Sequence, residues 1–200
     1  MQPRRTCCSR CRRARKRPGP EVGARNVASS AHRAFSAAWP GRPPGITFRP
    51  IHADDRDFLS ALYASTREEE LRPVPWPDEA KRAFLASQFE LQHTHYHRAY
   101  PDADFLLILD AGEPVGRVYI HRALHELSLI EISLIEARRC RGLGSALLGE
   151  ILDEARATGH AVTLHVEPDN PAKHLYARLG FTLVENQGVY DFLRWSPPVS

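Results

Sequence analysis

From Ile46 onward, apolar and polar residues fall into two periods, and the chain divides into elements on that basis. Ile46-Thr-Phe-Arg-Pro-Ile51 alternates as a half-buried strand does. Asp54 or Asp55 then caps a helix running to about Ser65, with Phe58, Leu59, Leu62 and Tyr63 on one face. After the Pro-rich Pro73-Val-Pro-Trp-Pro77, Asp78 caps a second helix that carries Ala83, Phe84, Phe89 and Leu91 towards His97. Phe105-Leu-Leu-Ile-Leu109 and Val115-Gly-Arg-Val-Tyr-Ile120 read as two strands of a hairpin turning at Ala111-Gly112. Leu127 to Ile135 is almost continuously apolar, which predicts a central strand covered on both faces.

The longest helical stripe follows, with Leu143, Leu147, Leu148, Ile151, Leu152 and Ala155 aligned between Gly142 and about Thr158, and Gly159 suited to the C′ position. Ala161 to Val166 is a short buried strand, and Pro171 to Leu179 is a helix stopped by Gly180. Phe181–Val184 and Val189–Leu193 close the chain as strands separated by Glu185-Asn186-Gln187-Gly188. The order is β-α-α-β-β-β-α-β-α-β-β, without internal repeats. No run of eighteen apolar residues occurs, so no membrane partner is expected.

Composition changes this picture only at the start of the chain. Residues 1–45 hold eleven Arg or Lys against the single acid Glu21; of 27 basic and 24 acidic residues, sixteen and 23 remain in 46–200. The net charge of +3 therefore divides into a tail of +10 and a body of −7. With few large apolar side chains, the tail cannot offset its ordering entropy and is read as disordered, ahead of a domain spanning 46–197. Nucleic acid is expected only through the tail, because the body is acidic. The apolar stretch Ala34–Trp39 is broken by Ser36 and stopped by Pro40, which argues against a secretory signal, while the Arg-rich, acid-poor start also fits a transit peptide. Cys7, Cys8 and Cys11 lack a fourth zinc ligand at a fitting distance, and nothing pairs Cys140. That usage points to a reducing, cytoplasmic compartment. The chain leaves its oligomeric state, including a homodimer, open.

The stretch richest in chemistry is Ile132-Ser-Leu-Ile-Glu-Ala-Arg-Arg-Cys-Arg-Gly-Leu-Gly-Ser145, a strand followed by a glycine-bearing turn that opens a long helix. Helix starts present unpartnered N–H groups and a positive dipole end, a geometry suited to an anion. A dinucleotide fingerprint needs glycine where Leu147 stands, and no G-K-[ST] of a Walker loop occurs. What remains is R-x-x-G-x-G from Arg139 to Gly144. That motif resembles the acetyl-CoA pyrophosphate turn of the GNAT superfamily of N-acetyltransferases. Asn170-Pro-Ala-Lys-His-Leu-Tyr-Ala-Arg-Leu-Gly-Phe181 is similar to the family's later block, with Asn170 one position closer to Tyr176 than in its commonest form. The resemblance covers roughly Ile46 to Trp195.

The resemblance implies an α/β (α+β) fold, a mixed, mostly antiparallel sheet of about seven strands flanked by four helices. It further implies direct transfer of acetyl from acetyl-CoA to a primary amine of a small molecule, peptide or protein, in a ternary complex and with no metal. On this reading the backbone of Cys140, Arg141, Gly142, Leu143, Gly144 and Ser145 holds the pyrophosphate with Arg139 and Arg141 in support, Ile132, Ser133 and Leu134 pair with the pantetheine arm, and Asn170 assists. Tyr176 is the candidate donor to the departing thiolate. For the amine proton two residues stand open beside a water-mediated route. Glu131 is an acid in an apolar strand, costly without a task or partner, and His165 interrupts an apolar strand where it can face a cleft. The alternatives are a structural salt bridge for Glu131 and a core histidine for His165. His93, His95 and His97 lack the intervening glutamate and third ligand of a metal motif and are assigned to a helix end or the acceptor side, where Glu68, Glu69 and Glu70 are placed to draw a cationic amine.

Overall fold

A computed structural model describes residues 42–198; the basic tail up to Gly41, with Cys7, Cys8 and Cys11, lies outside them. Seven strands, β1 (Ile46–Pro50), β2 (Asp104–Asp110), β3 (Glu113–Arg122), β4 (Glu126–Leu134), β5 (Ala161–Val166), β6 (Thr182–Asn186) and β7 (Asp191–Trp195), form one sheet in the order β1-β2-β3-β4-β5-β7-β6. The four helices are α1 (Arg56–Leu71), α2 (Asp78–Ala99), α3 (Leu143–Thr158) and α4 (Lys173–Arg178). Every neighbouring pair is antiparallel except β4 with β5, which α3 connects as a crossover. The sequence order of elements and the mostly antiparallel sheet are as expected. Among the described residues no helix is long and apolar enough to cross a membrane.

The two faces of the sheet carry separate cores. Leu147, Leu148 and Ile151 of α3 pack with Val118, Leu129 and Leu164 on one face. Leu59 and Tyr63 of α1 and Leu85 and Phe89 of α2 cover Leu107 on the other. The hydrophobic effect acts on alternate residues of each strand, and the helices are amphipathic only as far as they touch the sheet.

Several boundaries differ from the sequence pattern, each for a local reason. The first helix runs on to Leu71 because Ser65 and Thr66 return their hydroxyls to the Leu62 and Tyr63 carbonyls, so a polar stretch stays helical. Glu68–Glu70 thus lie on a helix, where Glu70 pairs with Arg67 and Glu69 with Arg72. In α2 the buried stripe is Leu85 and Phe89, whereas Phe84 turns outward to pack edge-on against Trp76 and Leu91 is exposed. Pro77, not Asp78, stands at the cap of α2. The last two strands begin and end later than predicted, because the turn falls at Gln187–Tyr190, where the Gln187 N–H reaches the Tyr190 carbonyl at 2.8 Å and Gly188 takes φ +84°.

Two backbone features shape β4. Tyr119 of β3 pairs with Glu131 and Ile120 with Leu129, which leaves Ile130 as an extra residue, a β-bulge. Before it, Leu127 and Leu129 face α3; after it, Ile132 and Leu134 do, and Glu131 and Ser133 face α1 and α2. The nearly unbroken apolar run of the sequence is thus two alternating segments joined out of phase. Beside β4, Gly116 of β3 sits so close that a Cβ there would lie 2.4 Å from the Ser133 carbonyl oxygen.

Candidate active site

The parallel pairing of β4 and β5 extends only from Glu126 with Ala161 to Leu129 with Leu164. Beyond it the strands part, and the β5-facing edge of Ile130–Leu134 has no strand partner while β3 still pairs with the opposite edge. The expected pantetheine residues Ile132, Ser133 and Leu134 lie on this stretch. The open edge is shorter than the sequence implies, because the Leu134 carbonyl accepts Arg139 Nε at 2.8 Å. Nη2 of Arg139 donates to Ser65 of α1 at 3.0 Å. Arg139 therefore braces the turn between β4 and α1.

The turn itself is built from left-handed residues. Cys140 has φ +55° and is exposed, and Gly142, at φ +84°, stands at the cap of α3. No side chain caps this helix; the Ala146 N–H is bonded to the Gly142 carbonyl, so Leu143, Gly144 and Ser145 form the first turn, where helix geometry leaves N–H groups directed outward. A Cβ on Gly142 would meet nothing within 4 Å, so the glycine is needed for its φ and for open approach, not for internal packing. These features fit an anion. Asn170 serves the neighbouring loop: its Oδ1 accepts the Ala172 N–H at 2.9 Å and folds Pro171-Ala172 into the turn before α4, which begins two residues later than predicted.

Tyr176, on α4, is buried against Phe181, with ring centroids 5.6 Å apart. Burial, and secondarily the charge of Glu131, pushes its phenol up to about 12. The same two causes raise Tyr96 of α2. Glu131 is thus electrically within reach of a tyrosine from each side of the parted strands, and its side chain is 19% exposed. His165 sits just past the last β4–β5 pair on the same sheet face as Glu131, since both lie opposite the α3-facing Leu164 and Leu129. It is exposed and stacks on Phe192 at 4.9 Å, so it is not a core histidine.

The histidines of α2 form a different cluster. His93 and His97 are 4.4 Å apart by centroid, and His97 stacks on Phe105 at 3.9 Å. They line a small hollow with His52 and Arg56. Burial first, then His97, lowers the His93 pKa. Among the described residues no group of three or more His, Cys, Asp or Glu could hold a metal.

One residue of the site escaped the sequence pattern. Arg117, in the apolar centre of β3, is 2% exposed and reaches Ser133, Gln92 and Glu131. Burial weakens its charge, but Glu131 and Tyr119 more than offset this and keep the guanidinium cationic. The signal was present, a cation in a strand otherwise apolar, and is the same oddity that marked Glu131.

A sheet with one parallel pair that parts beside an uncapped helix start, under four helices, is the architecture of the GNAT fold. The chain belongs to the acetyltransferase (GNAT) family, whose model matches residues 59–181. Mycothiol acetyltransferase of Corynebacterium glutamicum (strain R) is 41% identical over 95 residues, 46% of this chain and 32% of that relative. The chain thus spans about a third of the length of the curated relatives it matches. Among solved structures, the PaiA N-acetyltransferase from Thermoplasma acidophilum in complex with coenzyme A has a TM-score of 0.57 at 15% identity, over 76% of this chain and 98% of that one, a likeness of fold. A histone acetyltransferase HPA2 and related acetyltransferase from Corynebacterium glutamicum ATCC 13032 has a TM-score of 0.53 at 25% identity, over 78% and 98%.

Proposed function

We propose that the protein transfers the acetyl group of acetyl-CoA to a primary amine by direct attack within a ternary complex. The observation that carries this reading is the parting of β4 and β5 above the uncapped, left-handed start of α3. It sets an unpaired strand edge in line with an anion site. Acetyl-CoA supplies the activated acyl group; the chain supplies everything else. Backbone groups of Ile132, with what remains free at Leu134, align the pantetheine arm as a strand would, while the Ser133 carbonyl between them turns to β3. The turn from Arg139 through Cys140, Arg141 and Gly142 to Leu143, Gly144 and Ser145 receives the pyrophosphate, and Asn170 fixes the α4 turn beside it.

Tyr176 is the proton donor to the departing thiolate. Burial keeps its phenol protonated at neutral pH, so its O–H is available to the sulfur as negative charge gathers there. Glu131 accepts the proton of the attacking amine, and His165, on the same face and open to solvent, is placed to pass it on. The acceptor is an amine of a small molecule, peptide or protein.

Acetyl-CoA at about a hundred times its Kd should stabilise the full chain by about 2.7 kcal/mol. Arg139→Ala and Gly142→Glu should each abolish the shift; no shift in the unmodified chain overturns the reading. Thiol release is then followed with benzylamine, 1,4-diaminobutane and an unblocked tripeptide. Tyr176→Phe should lower kcat by about 10²-fold or more while leaving the acetyl-CoA Kd unchanged. Turnover with none of the three amines refutes transfer to a general primary amine.

A further inference from the structure

We propose that Arg117 is a positioning residue for this transfer: it holds the Glu131 carboxylate at the mouth of the parted strands and ties it, through Gln92, to α2. The inference rests on the reading of Glu131 as acceptor of the amine proton.

A guanidinium that is 2% exposed persists only if its donors are answered. Those of Arg117 are answered from two different elements: Nε donates to Ser133 Oγ on β4 at 3.1 Å, and Nη2 donates to Gln92 Oε1 on α2 at 3.0 Å. Its carbon centre lies 5.2 Å from the Tyr119 ring centroid. These two bonds orient the guanidinium, and the neighbouring charge of Glu131 chiefly offsets its burial. Across the sheet Arg117 registers with Ser133, and the bulge at Ile130 brings Glu131 onto the same face, two residues before Ser133.

The contact with Glu131 differs in kind from the half-buried Arg49–Asp55 pair. Arg49 grips Asp55 through both oxygens, at 2.6 and 2.7 Å, and so saturates it. Arg117 stands 3.5 Å from Glu131 Oε2, in ion-pair range and beyond a good hydrogen bond. The charge is compensated while the carboxylate oxygens are left available to a substrate proton. A clamp built for stability resembles the Arg49 pair; the Arg117 pair has the geometry of a carboxylate held in place with its oxygens left open. Through Gln92 the same guanidinium is tied to α2, the helix that also presents Tyr96 to the Glu131 charge.

The test is a double-mutant cycle on the full chain, reading kcat and KM for acetyl-CoA with the fastest of the three amines above as probe. Glu131→Gln should lower kcat by about 10²-fold with KM for acetyl-CoA unchanged. Arg117→Met should lower kcat by about 10- to 100-fold, again without change in KM, and Arg117→Lys should recover part of it. Added to Glu131→Gln, Arg117→Met should cost nothing further. Equal losses in both backgrounds, or a loss seen only in KM, overturn the proposal and leave a structural arginine. An unchanged kcat in Glu131→Gln instead overturns the reading of Glu131. Should Arg117→Met not fold, Gln92→Leu keeps the arginine and removes one of its anchors; it should lower kcat several-fold in the unmodified chain and not in Glu131→Gln, and an unchanged kcat overturns the proposal.

Discussion

Replacing Gly116 by alanine is the sharpest perturbation of β4 that leaves every functional side chain intact. Its Cβ would lie 2.4 Å from the Ser133 carbonyl oxygen, 2.7 Å from Leu134 Cδ2 and 3.2 Å from Ile108 Cδ1. The leucine can rotate away, but the carbonyl belongs to the backbone of β4. Restoring even a tight contact of 3.0 Å requires the two strands to separate by about 0.6 Å. Overpacking of this kind costs about 1–3 kcal/mol, which for a domain of this size lowers Tm by roughly 2–12 °C. Because no strand backs β4 on its β5 side beyond Leu129, the displacement goes into the cleft. Acetyl-CoA affinity should therefore fall as well. Thermal unfolding with and without acetyl-CoA, together with titration calorimetry, measures both effects. Gly149→Ala is the control: it is helical, its Cβ would meet nothing within 4 Å, and it should be neutral or stabilising by up to about 1 kcal/mol. A Gly116→Ala protein with unchanged Tm and unchanged acetyl-CoA affinity would refute the reasoning.

Gly142→Ala meets no steric obstacle, so its cost is that of a left-handed residue with a Cβ, about 1–2 kcal/mol, read as a lower Tm and a weaker shift by acetyl-CoA. The hydrogen bonds from Arg49, despite partial burial, hold the Asp55 carboxyl below the usual range. The stability this confers is present above the unfolded carboxylate pKa and lost as pH falls through the lower folded value. Arg49→Met should therefore separate from the unmodified chain in Tm at pH 6, with the gap closing towards pH 2–3. His93 titrates below its ordinary value because of burial and His97. The unfolded chain then binds more protons just below pH 6.5, and stability falls as pH drops through that region. His93→Phe should flatten the fall in Tm between pH 7 and 5; an identical fall in both proteins refutes the assignment.

What the sequence exposed was whatever local periodicity or glycine chemistry imposes. The α3 stripe from Leu143 to Ala155, the Ala111-Gly112 hairpin with both residues left-handed, and the turn at Cys140–Gly142 are all visible without tertiary contacts. The length of α1 was hidden because hydroxyls of Ser65 and Thr66 bond to the preceding turn, which no hydrophobic pattern records. The outward turn of Phe84 was hidden because its partner Trp76 lies in the Pro-rich segment. The bulge at Ile130 is recorded only in the polar positions, Ser128 on one phase and Glu131 and Ser133 on the other, a change that reading the strand as one apolar run passes over. Arg117 was readable as a misplaced cation, but its meaning depends on Gln92, 25 residues away, and on the phase of β4.

That phase has a consequence for how the protein tolerates change. Because Ile130 is counted out of the β3 ladder, odd-numbered residues face α3 before it and even-numbered residues face α3 after it. The strand behaves as two readers of opposite parity spliced at one position. A substitution at Ile130 alters one side chain, and its deletion would leave Leu129 and Glu131 on the faces they already occupy; drawing Ile130 into the ladder opposite Tyr119 would instead exchange the faces of everything downstream, sending Glu131 into the oily layer and Ile132 to the opposite side. The pairing register of β4, more than the identity of any one residue in it, is what this chain has least freedom to vary.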